Sequence, residues 1–190
     1  MEFVRTIDWG HPHVALDGGY LGQYLPHHNW NDGDEDEIHI EVIAPGVLPV
    51  QRLVETADLR DTSVQPAFIK EADPAKLTGQ GFGLDWLANR AGGAKHAAVY
   101  LAEVPPGKVG PPLHVHEFDQ FYFVLQGTLN VEIGLQGYEV PPGHLVVLPA
   151  QVPHRQRNER DETEQHLTVI VPEPAALPSP GGRGGTRSSS

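Results

Sequence analysis

Gly110-Pro-Pro-Leu-His114-Val-His116-Glu-Phe-Asp-Gln120-Phe-Tyr-Phe-Val-Leu-Gln-Gly127 is the stretch on which the fold turns. His114 and His116 are two residues apart, so on an extended strand both imidazoles leave the same face. Two neutral nitrogens can then take neighbouring positions around one metal ion. Gln120 keeps that parity. A turn over residues 117–119 would fold the chain back and bring its amide oxygen to the same ion from the adjacent strand. Phe121 to Leu125 is a continuous apolar run closed by Gly127, the pattern of a buried strand that ends in a tight turn.

A second stretch answers the first. Gly143-His-Leu-Val-Val-Leu-Pro149-Ala-Gln-Val-Pro153-His154-Arg-Gln-Arg-Asn158 places a buried-type strand, a proline-bounded turn and another histidine at the head of a further strand. Together the two stretches resemble the paired motifs of the cupin superfamily. In the first motif the His-x-His pair, the three-residue gap and the six residues to Gly127 fit, but Gln120 stands at the family's glutamate position and only Gly107 and Gly110 precede His114. In the second, Gly143, Pro149, Val152-Pro153-His154 and Asn158 fit, while Gln151 stands where the family has glycine. The resemblance covers mainly residues 107–158. It implies an all-β, cupin-type antiparallel β-barrel or jelly roll, and a divalent transition metal held by His114, His116, Gln120 and His154.

Thirteen basic and 25 acidic residues leave the 190-residue chain a formal charge of −12, so a phosphate backbone or an anionic membrane would be repelled unless a local basic patch existed. Basic residues gather only modestly, at Arg155, Arg157 and Arg160. Cysteine is absent, which removes disulfides, thiolate metal sites and cysteine nucleophiles. Any transition-metal site must therefore use histidine, glutamine and carboxylate. No basic leader with an apolar core opens the chain and no 18-residue apolar run occurs, so a cytoplasmic location is expected. The partners expected are a small-molecule substrate, with no nucleic acid and no membrane; a homodimer is compatible with such a domain.

Residues 1–61 read as an N-terminal arm with short strands, 62–172 as the barrel, and 173–190, a run of Pro, Gly, Ser and Arg, as a disordered tail. His11, His13, His27 and His28 in the arm lack a framing buried strand and read as solvated side chains. The acidic run of residues 32–37 is not an EF-hand, because the sixth and twelfth positions hold Glu37 and Ile43; it reads as a solvated turn. Ile38 to Ile43 alternates and predicts a strand. Ile69 with its neighbour Phe68 reads as a strand, Asp73-Pro74 as a turn, Leu84 to Leu87 as a short strand or a turn of helix, and 95–104, 127–133, 138–140, 145–148 and 166–171 as strands with almost no helix between them.

Three histidines and a glutamine are all neutral ligands. They would leave the charge of a divalent ion uncompensated, making it a stronger Lewis acid than the family's usual set with glutamate. Zinc, iron, nickel, cobalt or copper suits imidazole donors. Tyr122 and Gln156 are the candidate catalytic side chains, with Asn158 a further candidate to orient ligands or substrate; His96, His144 and His166 are candidates for a fourth imidazole. Val124, Leu129, Val131 and Ile133 are expected as apolar walls for an aromatic ligand. The resemblance extends to small bacterial aromatic polyketide cyclases, which implies a metal-dependent enzyme acting on a phenolic or polyketide-like molecule. A quercetinase-like dioxygenase, a metal-free barrel and a non-catalytic small-molecule-binding cupin are the other readings the residues allow.

Overall fold

The computed structural model describes residues 6–8, 31, 33–36, 38–44, 69–77, 81–92, 94 and 96–175. Three residues near the start, β1 (Thr6–Asp8), pair antiparallel with β2 (Ile69–Glu71). Next come a single helical turn α1 (Pro74–Leu77), β3 (Gly83–Ala88), β4 (Ala98–Val104) and β5 (Asp119–Gln126). Then follow β6 (Leu129–Ile133), β7 (Gln136–Val140), β8 (Leu145–Leu148), β9 (His154–Arg157) and β10 (Glu164–Val171). The expected turn at Asp73-Pro74 is the start of α1. Asp73 Oδ1 accepts the amide of Ala75 at 3.0 Å, and proline occupies the first helical position, where no N–H is needed.

Two antiparallel sheets make a jelly-roll sandwich: β3-β4-β10-β5-β8 and β7-β6-β9. They are not hydrogen-bonded into a closed barrel. The last strand, β10, lies between β4 and β5, so the central pairing of the larger sheet joins residues far apart in sequence. Its inward side chains line up with those of its neighbours in three rungs. The first is Ala98–Ile170–Gln120–Leu148, the second Tyr100–Thr168–Tyr122–Val146, and the third Ala102–His166–Val124.

Leu129 and Val131 of β6 pack onto Tyr122, Val124, Val146 and Leu148, closing the space between the sheets. Each aliphatic side chain taken fully from water there contributes about 1.5–3 kcal/mol. Val124 and Leu129 are therefore solid core rather than walls of a ligand cavity. Val131 and Ile133 border an open groove of about 430 Å³ with Tyr138, Val140, Leu145 and Val147, between the edges of the two sheets. The other face of the larger sheet buries Val99 and Leu167 against Ala72 and Leu87.

Some sequence expectations change. The alternating segment 38–43 forms no strand: Ile38, Ile40, Val42 and Ile43 are exposed, and among the described residues the stretch has no ladder partner. Alternation supplies a face to bury, and a strand still needs a neighbour to bury it. Packed structure continues past residue 172, since Glu173 is buried, its amide bonds the carbonyl of His96 and its own carbonyl accepts from Arg90. The acidic turn is as read where it is described, with Asp34, Glu35 and Asp36 exposed. His11, His13, His27, His28 and residues 176–190 of the expected tail lie outside the described residues. No described helix is long and apolar enough to cross a membrane.

Candidate metal centre

His114 and His116 lie not on a regular strand but on an extended segment before β5, anchored to β9 by isolated bridges at Val109–Arg157 and His114–His154. His114 N bonds His154 O at 3.1 Å and His154 N bonds His114 O at 3.0 Å. That reciprocal pair brings the second motif's histidine against the first. Gly110 N bonds Gln156 O and Asn158 N bonds Lys108 O, which hold the segment along β9. Gly110 is needed for this approach, because a Cβ there would sit 2.6 Å from Gln156 Cγ. On the other side Gln151 N bonds His116 O at 2.8 Å from a left-handed conformation, φ 68°. A glycine, which the resemblance leads one to expect at this position, would adopt that backbone freely. Glutamine holds it at a cost of about 1 kcal/mol.

The three rings converge. His114 and His154 have centroids 4.4 Å apart, His116 and His154 4.7 Å, His114 and His116 5.8 Å. One nitrogen from each lies within 4.8 Å of one from each of the others. Each Nδ1 faces a backbone carbonyl: Pro112 O at 2.7 Å for His114, Phe118 O at 2.7 Å for His116, Val152 O at 3.0 Å for His154. A carbonyl oxygen only accepts, so each Nδ1 carries a proton and each neutral ring offers the Nε2 lone pair. His116 is further fixed by stacking on Phe118 at 3.9 Å.

His154 is fully buried and its Nε2 has no hydrogen-bond partner. Burial, reinforced by the neighbouring His114 and His116, lowers its pKa to about 4 against the opposing bond to Val152. A buried lone pair without a donor is costly. A cation shared with the other two rings would satisfy it.

Gln120 is buried at the head of β5, one bend beyond His116. Its Oε1 lies 2.9 Å from His116 Nε2, and its Nε2 donates to Tyr100 Oη at 3.1 Å. Two acceptors facing each other at that distance repel unless a positive charge stands beside both. The donor set therefore fits a divalent transition ion: three imidazoles and one amide oxygen, all neutral.

The other candidates lie apart from these rings. Tyr122 sits one rung further along β5, 3% exposed, with its ring against His166 at 4.6 Å. Burial, and then the neighbouring Tyr100 and Glu164, push its phenol well above the usual value of 10, so it remains protonated. Gln156 is buried with Oε1 unpartnered. Among the described residues no hydrogen bond joins either side chain to the three imidazoles. Asn158 is a backbone clamp, donating to Val104 O and Glu162 O while accepting from Arg160 N. His96 and His144 are exposed. His166 is buried and bonded through Nδ1 to the Glu164 carboxylate at 2.9 and 3.0 Å, two rungs from Gln120.

Sequence reasoning missed the Glu164–His166 pair and the Tyr100 contact. The first was readable from Glu-x-His on one face of a strand. The second was not, because Tyr100 and Gln120 lie on strands separated by β10, about 9.6 Å apart at the sheet spacing. Arg155, Arg157 and Arg160 make exposed ion pairs with Glu132, Glu159 and Glu139.

These elements define a jelly-roll protein whose three histidines could hold a metal ion. The family profile described as Cupin domain matches residues 100–171, from within β4 to the end of β10. Among solved structures it is similar to TT1209 from Thermus thermophilus, at 26% identity over 54% of this chain and 97% of that one, with a TM-score of 0.47. It is also similar to the polyketide cyclase RemF from Streptomyces resistomycificus, at 24% identity over 50% of this chain and 68% of that one, TM-score 0.45. KdgF from Halomonas sp. is 21% identical over 52% and 84% of the two chains, TM-score 0.45. Among curated proteins, none matches the sequence.

Proposed function

We propose that the chain is a metal-dependent cupin enzyme in which His114, His116, His154 and Gln120 hold one divalent transition ion that acts on a phenolic or polyketide-like small molecule. The observation that carries this reading is the tautomer set. Three Nδ1–H groups are tied to backbone carbonyls, and the remaining donor nitrogens, none shared with a protein N–H, cluster within 4.8 Å. A bound divalent ion would supply Lewis acidity, polarising a carbonyl or acidifying an enolic or phenolic hydroxyl.

The chain's own contribution is a neutral donor set, which leaves that acidity undiminished. Backbone carbonyls hold the rings in place without adding charge. A carboxylate at position 120 would compete electrostatically with a substrate anion; the amide of Gln120 does not. Gln156, with an unpartnered amide oxygen between the sheets, and Tyr122, a phenol held protonated, are the side chains we assign to orienting the substrate.

The test is to load metal-free protein separately with zinc and with iron(II), nickel or copper, offer phenolic and polyketide-like substrates, and follow product and dissolved oxygen. Turnover with redox-inert zinc in the absence of oxygen supports a cyclase-like reaction. Turnover only with a redox-active metal and stoichiometric oxygen uptake would replace it with a dioxygenase, and tight binding without turnover under any condition with a binding module.

A further inference from the structure

Gln120 has two chemically different ends, and only one of them can meet a cation. With the oxygen toward the imidazoles it is a ligand; flipped, its NH2 would donate to the His116 Nε2 lone pair and block the site. The two ends are almost the same size, so packing does not choose between them. A hydrogen-bond partner must.

We infer that Tyr100 is a positioning residue that holds the Gln120 amide with its oxygen turned to the three imidazoles. Tyr100 stands on the second rung of the inner face, on β4, and its ring reaches across β10 to accept the Gln120 N–H at 3.1 Å. Its own direction is fixed by Trp86, whose ring meets it edge-on at 4.8 Å, and by burial among Ala98, Ala102 and Ile170. The Thr168 hydroxyl lies opposite it on β10, close enough to influence the phenol but with no well-formed hydrogen bond to any protein group. A phenol oxygen keeps lone pairs beside its own proton, so Tyr100 can accept from the amide while remaining neutral. Burial raises the Tyr100 pKa to about 12, with Thr168 and Gln120 pulling it the other way, so the group stays a neutral phenol at working pH.

The contact should strengthen when a metal binds. Coordination through Oε1 draws electron density from the amide, makes its N–H a better donor, and so increases what the Tyr100 oxygen returns to the ligand. This inference rests on the metal-centre reading and adds to it the residue that sets the polarity of the fourth ligand.

The sign of the effect separates positioning from mere packing. A carboxylate at position 120 has two equivalent oxygens and no N–H. Tyr100 would then donate to it and withdraw density from it, so removing the hydroxyl would not weaken that ligand. The experiment measures zinc affinity by competition with a chromophoric chelator in four full-length proteins: unmodified, Tyr100→Phe, Gln120→Glu, and the double variant. Tyr100→Phe keeps the ring and its contact with Trp86, and a melting curve checks each protein.

The expected result is a loss of at least about 10-fold on Tyr100→Phe with glutamine at position 120, and no loss with glutamate there. The cobalt(II) absorption spectrum should shift with Tyr100→Phe in the first background only. Equal losses in both backgrounds, or none in the first, would overturn the inference while leaving the metal centre standing. Absence of zinc binding by the unmodified protein would overturn both.

Discussion

Two places in this sandwich leave a histidine Nε2 buried and without a partner, and they are built differently. At the mouth, the Nδ1 atoms of His114, His116 and His154 face backbone carbonyls, and the three rings point together. Two rungs deeper, His166 stands alone, its Nδ1 held by both oxygens of Glu164, with Tyr122 against its ring and no solvent access to either partner. A carbonyl fixes a ring's tautomer without adding charge, which suits a ligand that must stay neutral and deliver its lone pair to a cation. A carboxylate in a dry interior binds the ring far more strongly, and both groups depend on each other. The first arrangement could hold a metal ion. The second is a cross-link within β10, holding its inner face in place under the core.

The largest effect that would sharpen this contrast is on stability. Glu164→Ala leaves a buried imidazole without its partner and is expected to cost about 3 kcal/mol or more in urea unfolding. Glu164→Leu combined with His166→Phe, which removes both polar groups, should recover most of that loss. Neither change should alter zinc affinity by more than about 3-fold, since the pair lies outside the reach of a partner that orients a ligand. Substantial metal loss in these variants would erase the distinction between the two sites.

A smaller effect is expected at position 120. Gln120→Glu should tighten zinc binding by about 10-fold, because an anionic ligand offsets the ion's charge, and lower turnover by reducing its Lewis acidity. Calorimetric titration reads the first and steady-state kinetics the second. Unchanged affinity would place Gln120 outside the metal's ligand shell.

Much of this was legible in the sequence because motif residues carry their own spacing. His114, His116, Gln120 and His154 come together, and Gly127 closes β5 at φ 68°, where a Cβ would strike the Thr163 carbonyl at 2.6 Å. The strands around them follow from apolar runs bounded by glycine and proline. What was not legible depends on contacts between distant segments. Ile38 to Ile43 has the alternation of a strand and, among the described residues, lacks the neighbour that would make one. Val124 and Leu129 are on the expected face, yet β6 packs so closely that they are core, not pocket wall. Tyr100 gives no local sign of its contact with Gln120, since that partner lies two strands away. His166 could have been read more sharply from Glu164, its neighbour on the same strand face.

The central claim is that the three imidazoles and Gln120 form a metal centre, and the most direct measurement is metal content. Unmodified protein and the His116→Ala variant, both stripped and reloaded with zinc, then freed of excess, would be compared by elemental analysis alongside their melting curves. His116 is half-buried on an irregular segment, so its removal should leave the fold intact. The account predicts about one zinc per unmodified chain, close to none in the variant, and similar melting of the two metal-free proteins. Equal, near-zero zinc in both folded proteins would contradict it and leave a jelly roll whose histidines serve the fold alone.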